Sequence, residues 1–169
     1  MNVKASRNVI IEDADIKDVI FRNFSGKPDK FHASGTIGNF TLILSDEKGR
    51  ELLDRGFAVK IREDRDGNEE YRLRVFVRFD HVPPKVFQVS GTHVTELNEE
   101  TIECLDNAEL SKVEVVLNPY HYDVSGTSGI KAYLSRGYFT IREDILASRY
   151  ANLGADGDGD DGPLLPWEG

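Results

Sequence analysis

The sequence predicts a mainly β chain, folded as an antiparallel barrel with short helices inserted between its strands. Apolar residues recur at every second position in several stretches, and residues 71–79 are the clearest of these. Turn signals such as Asp66-Gly67 separate the stretches, as they do in hairpins that join antiparallel neighbours. Strands do not alternate with long helical patterns, so a parallel sheet with crossover helices is not expected.

The predicted strands are short and closely spaced along the chain. They cover residues 9–11, 18–24, 39–44, 58–62, 71–79, 85–90, 112–122, 130–135 and 138–142. Pro83 and Pro84 follow residues 71–79 and end that strand, because a proline cannot donate a ladder hydrogen bond. A five-stranded OB barrel is the most economical architecture for this set of strands.

Three helices are predicted around these strands. Ser45 caps a helix that runs through Arg55, and Gly56 ends it. Asn98 caps a second, short helix that reaches about residue 107, and a third helix covers residues 143–153.

Charge divides the chain into a predicted domain at residues 1–153 and an acidic tail at residues 154–169. The whole chain has 21 Lys and Arg against 30 Asp and Glu, a formal net charge of −9. Five acids and no base lie in the tail, so the rest of the chain has 25 acids and a net charge of only −4. Gly and Asp bury too little surface to fold, which predicts a disordered tail.

Cysteine usage and hydropathy bound the compartment. Cys104 is the only cysteine, so no intrachain disulfide forms and a reducing compartment fits. No apolar run has the length of a membrane span, and the N-terminus lacks a signal-peptide core. We therefore expect a soluble intracellular protein without a membrane partner.

The strand at residues 71–79 carries the main candidate site. Its alternation places Tyr71 and four further apolar residues toward a core and the other four side chains toward solvent. Cations can meet phosphates and an aromatic ring can stack on a base, so this face suits a single nucleic-acid strand. The alternative is a solvated charged face, but Phe76 has no core to fill there. The outward side chains are Arg72, Arg74, Phe76 and Arg78.

Two other stretches extend this candidate site. On the preceding strand Lys60 and Arg62 alternate with apolar residues, and the Asp66-Gly67 turn pairs that strand with residues 71–79. The hairpin at residues 112–135 places rings and one base on an outward face, for which cross-strand tyrosine pairing is the structural alternative. Its outward residues are Tyr120, Tyr122, Lys131 and Tyr133. The loop at residues 25–38 adds Lys30 and Phe31, which we expect to close over a bound strand.

Catalysis and cofactors receive little support from the sequence. The histidines lack the spacing of metal ligands, and Cys104 is expected to be a packing or surface thiol rather than a nucleophile. Acid clusters at residues 13–18 and 63–66 are typical of solvated loops, with Mg²⁺ binding in a nuclease as the alternative. The tail resembles a calcium loop only at its start, because Asp161 stands where Gly is required. We expect no metal and no cofactor.

Several of these stretches together resemble phage-encoded single-stranded DNA-binding proteins with an OB fold. The resemblance covers about residues 18–153 and includes the stretches at residues 22–26, 71–86, 118–120 and 129–134. It implies a tail that recruits replication and recombination partners and competes with DNA for a basic groove. Glu168 and Gly169 follow Trp167, whereas the common bacterial pattern ends at an aromatic residue. The tail residues expected to bind a partner are Asp156, Asp158, Asp160, Asp161 and Trp167; packing of the Trp167 tip on the body of the protein is the alternative.

The residues predict a non-enzymatic protein that coats single-stranded DNA, and the resemblance implies that it does so during phage DNA replication, recombination and repair in the host cytoplasm. Its expected partners are single-stranded DNA and replication or recombination proteins, and a homo-oligomer is compatible with the sequence. Two alternatives remain open. The net charge of −9 also fits an acidic mimic that inhibits a host DNA-binding protein, and the loop acids fit a metal-dependent nuclease.

Overall fold

The computed structural model describes residues 8–28, 35–80 and 82–142. The predicted mainly β class is confirmed. Within these ranges, one α-helix, α1 (Asp46–Asp54), and two 3-10 helices, Asp13–Asp15 and Ile102–Asp106, accompany the strands. The strands are β1 (Val9–Ile11), β2 (Ile16–Asn23), β3 (Gly38–Leu44), β4 (Val59–Glu63), β5 (Glu69–Val77), β6 (Lys85–Ser90), β7 (His93–Leu97), β8 (Leu110–Val124) and β9 (Thr127–Ile141). The predicted helix at 143–153, the tail at 154–169, Lys30 and Phe31 lie outside the described residues.

The strands form one open, mixed sheet rather than a wholly antiparallel one. The main path runs β1-β8-β9-β5-β3-β2, with β4 on β5, β6 on β9 and β7 on β6. β9 is parallel to both β5 and β6, and the other pairs are antiparallel. Within the described residues no pairing joins β2 to β1 or β8. The parallel pairs were missed because β9 meets strands some 50 residues earlier, and local turn signals specify only neighbouring hairpins.

The inner face of the sheet forms the core, as the alternation of β5 predicts. Tyr71, Leu73, Val75 and Val77 are all buried. Three rings pack at one end of this core, with centroids separated by 4.5 Å for Phe24–Phe40, 5.3 Å for Phe24–Phe139 and 5.9 Å for Phe40–Phe139. The inner residues of β5 are thereby fixed, so its remaining side chains must point outward.

Helix α1 begins and ends where predicted and packs against β5. The Ser45 Oγ accepts a hydrogen bond from the Lys48 backbone N–H at 3.2 Å. Gly49 is buried against Tyr71, where an added Cβ would lie 2.4 Å from the Tyr71 side chain. Among the described residues no helix is long and apolar enough to cross a membrane.

Three elements of the structure differ from the prediction. Asn98 does cap a turn, accepting from the backbone of Glu100 and Thr101 at 2.8 and 3.0 Å, but a 3-10 helix follows rather than a continuous helix. The strands predicted at 130–135 and 138–142 are one strand, β9, in which an extra residue forms a bulge. The sequence analysis also missed β7, most of whose side chains are exposed, so that no apolar alternation marks it.

Candidate nucleic-acid interface

The outer face of β5 presents alternating cations and a ring. Arg74 is exposed, and Arg72 and Phe76 are half-buried. β4 pairs beside it, with Lys60 opposite Arg72 and Arg62 opposite Glu70, and both basic side chains are exposed. The Asp66-Gly67 turn thus brings the cations of two strands together, as the sequence predicts.

The β8–β9 hairpin adds the second predicted group of residues to the same face. Tyr133 lies opposite Phe76 in the parallel β5–β9 pair, and their ring centroids are 5.6 Å apart. Tyr120 meets Tyr133 edge to face, also at 5.6 Å, and is 55% exposed. Two surfaces that the sequence places far apart therefore form one continuous aromatic row.

Lys131 lies between Phe76 and Tyr122, which is the fourth ring of this aromatic row. Its Nζ is 5.5 Å from the ring centroids of both Phe76 and Tyr122. Tyr122 reaches this position because its β9 partner is Gly129, where a Cβ would lie 2.6 Å from the Tyr122 Oη. The ammonium group is held by two aromatic faces, which keeps its charge inside the row.

These residues surround a groove of about 350 Å³. Most of the predicted site residues meet there. Its lining consists of Phe21, Thr41, Ala58, Lys60, Arg62, Arg72, Leu73, Arg74, Phe76, Tyr122 and Lys131. Arg78, Tyr120 and Tyr133 lie in an adjoining hollow of about 220 Å³, together with Val82, Asn118, Pro119 and Leu134.

Phe21 is an aromatic groove residue that the sequence analysis missed. Period-two alternation predicts that Phe21 shares a face with Val19, which packs against the core, but the β2–β3 register shifts between Ile20 and Asn23. Phe21 has φ +50° and is 66% exposed. One signal was available: Phe21 and Phe24 are three residues apart, so a strand cannot bury both on the same face.

Two of the predicted cations already have acidic partners. Arg72 donates to a Glu70 carboxylate oxygen at 2.7 Å from Nε and from Nη2. Arg78 forms a two-pronged pair with Asp80, at 3.0 Å from Nε and 2.8 Å from Nη2. The pKa of Arg78 is raised by this hydrogen-bonded carboxylate and, secondarily, by its hydrogen bond with Tyr133. These guanidinium groups are oriented, but their charge is largely offset locally.

Four other predicted cations have no acidic partner among the described residues. Across residues 8–28, 35–80 and 82–142, no ion pair involves Lys60, Arg62, Arg74 or Lys131. All four line the groove. The groove is therefore a positive site on an acidic protein, which agrees with the predicted clustering of bases on one side.

A larger hollow of about 400 Å³ lies elsewhere and lacks the same chemistry. Bases and acids alternate around it, and no aromatic ring lines it. Its Arg22 is committed to the backbone carbonyls of Leu105 and Ala108. This hollow offers no platform for a base, so volume alone is a poor guide to the site here.

The other candidate chemistry has structural explanations. Asp64 accepts from the backbone of Asp66 and Asn68 at 2.9 Å, and Asp13 accepts from Val113 at 2.9 Å. Cys104 donates to the Gln88 Oε1 at 3.1 Å, and burial raises the pKa of its thiol. Within the part of the chain that the structure describes, no group of three acids, histidines or cysteines is placed to hold a metal ion.

Comparison with known families settles the relationship that these features suggest. A family model described as a putative phage ssDNA-binding domain matches residues 1–161. The chain belongs to this phage single-stranded DNA-binding family. The resemblance stated from the sequence is thereby confirmed for nearly the whole chain. No curated protein matches the chain.

The chain is similar to solved structures of phage single-stranded DNA-binding proteins. The protein from bacteriophage Enc34 has a TM-score of 0.50 and 12% identity, over 81% of this chain and 82% of that one. Its complex with ssDNA has a TM-score of 0.51 and 11% identity, over 81% and 88% of the two chains. Bacteriophage T7 gp2.5 has a TM-score of 0.41 and 12% identity, over 94% and 100%. The Enc34 comparisons support a common fold for this family member.

The Arg78–Asp80 pair yields a first prediction. Asp80→Asn removes the carboxylate that offsets Arg78, so an oligo-dT strand should bind several-fold more tightly and with a steeper salt dependence, by about 0.7 in the log–log slope. Fluorescence anisotropy at four salt concentrations measures both quantities. Glu109→Gln is the matched control, because it removes the same charge beside the larger hollow. Equal effects of the two changes would show that only net charge matters.

Proposed function

We propose that the protein coats single-stranded DNA without sequence preference during phage DNA replication, recombination and repair. Membership of the phage ssDNA-binding family supports the binding function. The observation that carries the proposal is the single outer face on which cations of β4 and β5 meet the rings of β5, β8 and β9. Binding of this kind breaks no bond, so we propose no enzymatic step and no cofactor.

Uncompensated cations supply the phosphate contacts in this proposal. Arg74 lies beside the aromatic row and Lys131 lies between its rings, and Lys60 and Arg62 extend the positive surface across β4. Each phosphate contact releases condensed counterions, which makes affinity fall with salt. Arg72 and Arg78 belong to the predicted set, but Glu70 and Asp80 offset their charge, so they add less to this salt dependence.

The aromatic row supplies the base contacts. Phe76, Tyr133, Tyr120 and Tyr122 offer rings at neighbouring positions along one face. Stacking contributes about 1–3 kcal/mol per base and accepts any base, because every base has an aromatic face. This explains coating without a sequence code. We also propose that Lys30 and Phe31 close over the bound DNA strand.

The Phe76 ring provides the direct test of this function. Phe76→Ala should weaken oligo-dT binding about fivefold to a hundredfold, because a stacking ring is lost. The melting temperature should be unchanged, since the side chain lies on the outer face. Phe87→Ala is the matched control, because Phe87 is another half-buried strand phenylalanine, stacked on Tyr138 outside the groove.

Two results would contradict the proposal. Equal affinities of the Phe76→Ala variant and the parent chain would remove Phe76 from the site. If the parent chain shows no salt-sensitive binding of oligonucleotides, the acidic-mimic alternative is favoured.

The acidic tail has a second role in this proposal, in the cytoplasm of the host bacterium. Asp156, Asp158, Asp160 and Asp161 would compete with DNA for the groove, and Trp167 would anchor replication or recombination proteins. The positive groove supports this proposal, since it is the surface on which a polyanion would compete.

A full-length variant tests the competition. Changing the four aspartates to asparagine should tighten oligo-dT binding at low salt, and the difference should vanish at high salt as the tail is screened. Anisotropy titrations measure this. Identical affinities at low salt would remove the tail from the groove.

A further inference from the structure

Phe21 is an exposed ring held in a strained backbone conformation. It is 66% exposed in the middle of β2, and its φ of +50° lies in the left-handed region, where a bulky residue is rare. The register shift after Ile20 turns this side chain out of the sheet. Such conformations cost about 1–3 kcal/mol and concentrate at functional positions. A ring with no core to fill therefore needs an explanation at this site.

Arg72 and Glu70 support that ring from one side. The Arg72 guanidinium carbon lies 5.6 Å from the Phe21 centroid, over the ring. Glu70 accepts from both Nε and Nη2 of Arg72 at 2.7 Å, which fixes the plane of the guanidinium group. Glu70 thus orients the guanidinium group of Arg72, which lies over the Phe21 ring. The ring's exposure leaves surface available on the groove side.

The position of Phe21 places that surface on the path of the bound strand. Phe21 lines the same groove as Phe76 and Tyr122. In the sheet order β8-β9-β5-β3-β2, the strand of Phe21 and the strand of Tyr122 lie on opposite sides of β5, which carries Arg72 and Arg74. Its neighbour Ile20 pairs with Thr41, which pairs with Arg74, so β2, β3 and β5 contribute consecutive positions across the sheet. A DNA strand that crosses from the aromatic row over Arg74 therefore reaches Phe21 next.

We infer that Phe21 stacks an unpaired base at the β2 edge of the groove, and that Arg72 is its positioning residue rather than a phosphate contact. This inference rests on the proposed function and assigns a base-binding position that the aromatic row does not include. Glu70 already offsets the charge of Arg72, whereas Arg74 beside it is uncompensated within the described residues. The two arginines thus have different roles, although they alternate on one strand.

Ring variants test the base contact. Phe21→Ala should weaken oligo-dT binding about fivefold to a hundredfold, and Phe21→Leu should recover little, because leucine keeps apolar bulk without a flat face. The salt slope should stay unchanged in both variants, since no phosphate contact is lost. Circular dichroism melting confirms that each variant is folded.

Charge-matched variants test the role of Arg72. Glu70→Gln combined with Arg72→Gln keeps the net charge, and should weaken binding with the salt slope unchanged. Arg74→Gln should weaken binding and lower the slope by about 0.7. Adding Phe21→Ala to the Glu70→Gln, Arg72→Gln pair should cost little more, because the ring and its support act as one unit.

The outcomes separate this inference from the proposed function. Weak binding by Phe76→Ala together with unchanged binding by Phe21→Ala would overturn the inference and leave the function intact. A salt slope lowered by the Glu70→Gln, Arg72→Gln pair would make Arg72 a phosphate contact and also overturn it. If the parent chain binds no oligonucleotide at all, the proposed function itself is overturned.

Discussion

The parallel pairing of β9 with β5 is the contact on which the proposed interface depends. It sets Tyr133 beside Phe76 and carries the rest of the hairpin, with Lys131, Tyr120 and Tyr122, onto the outer face of β5. The pairing is secured from the inner side, where Val75 lies opposite Ala132 and both are fully buried. Core packing and the outer face are thus coupled, because alternation along a strand fixes both at once.

The positive potential of the groove depends on where the basic residues lie and not on an excess of basic residues in the chain. The net charge is −9, yet the groove contains four bases without an acidic partner in the described chain. Two other arginines on β5 and just after it are neutralised by a carboxylate two residues away. An acidic protein can therefore hold a polyanion, and the internal carboxylates limit how strongly it does so.

The alternation of residues 71–79 predicted the inner and outer faces of β5 because period two depends only on strand geometry. The same rule fails where a bulge changes the count. The register shift after Ile20 turns Phe21 to the outer face of the sheet. In β9 the extra residue interrupts the alternation, so that one strand was predicted as two. Glu70–Arg72 and Arg78–Asp80 could have been recognised, since residues two apart share a face. The β5–β9 contact could not, because nothing local encodes which distant strand a hairpin meets.

The most direct test of the account locates the bound strand. Backbone amide NMR of the full chain, titrated with oligo-dT, reports which residues change environment. The account predicts shift changes concentrated in β5 and in the hairpin of β8 and β9 around Lys131 and Tyr133. Changes confined to the hollow lined by Asp13, Lys17 and Arg142 would contradict it.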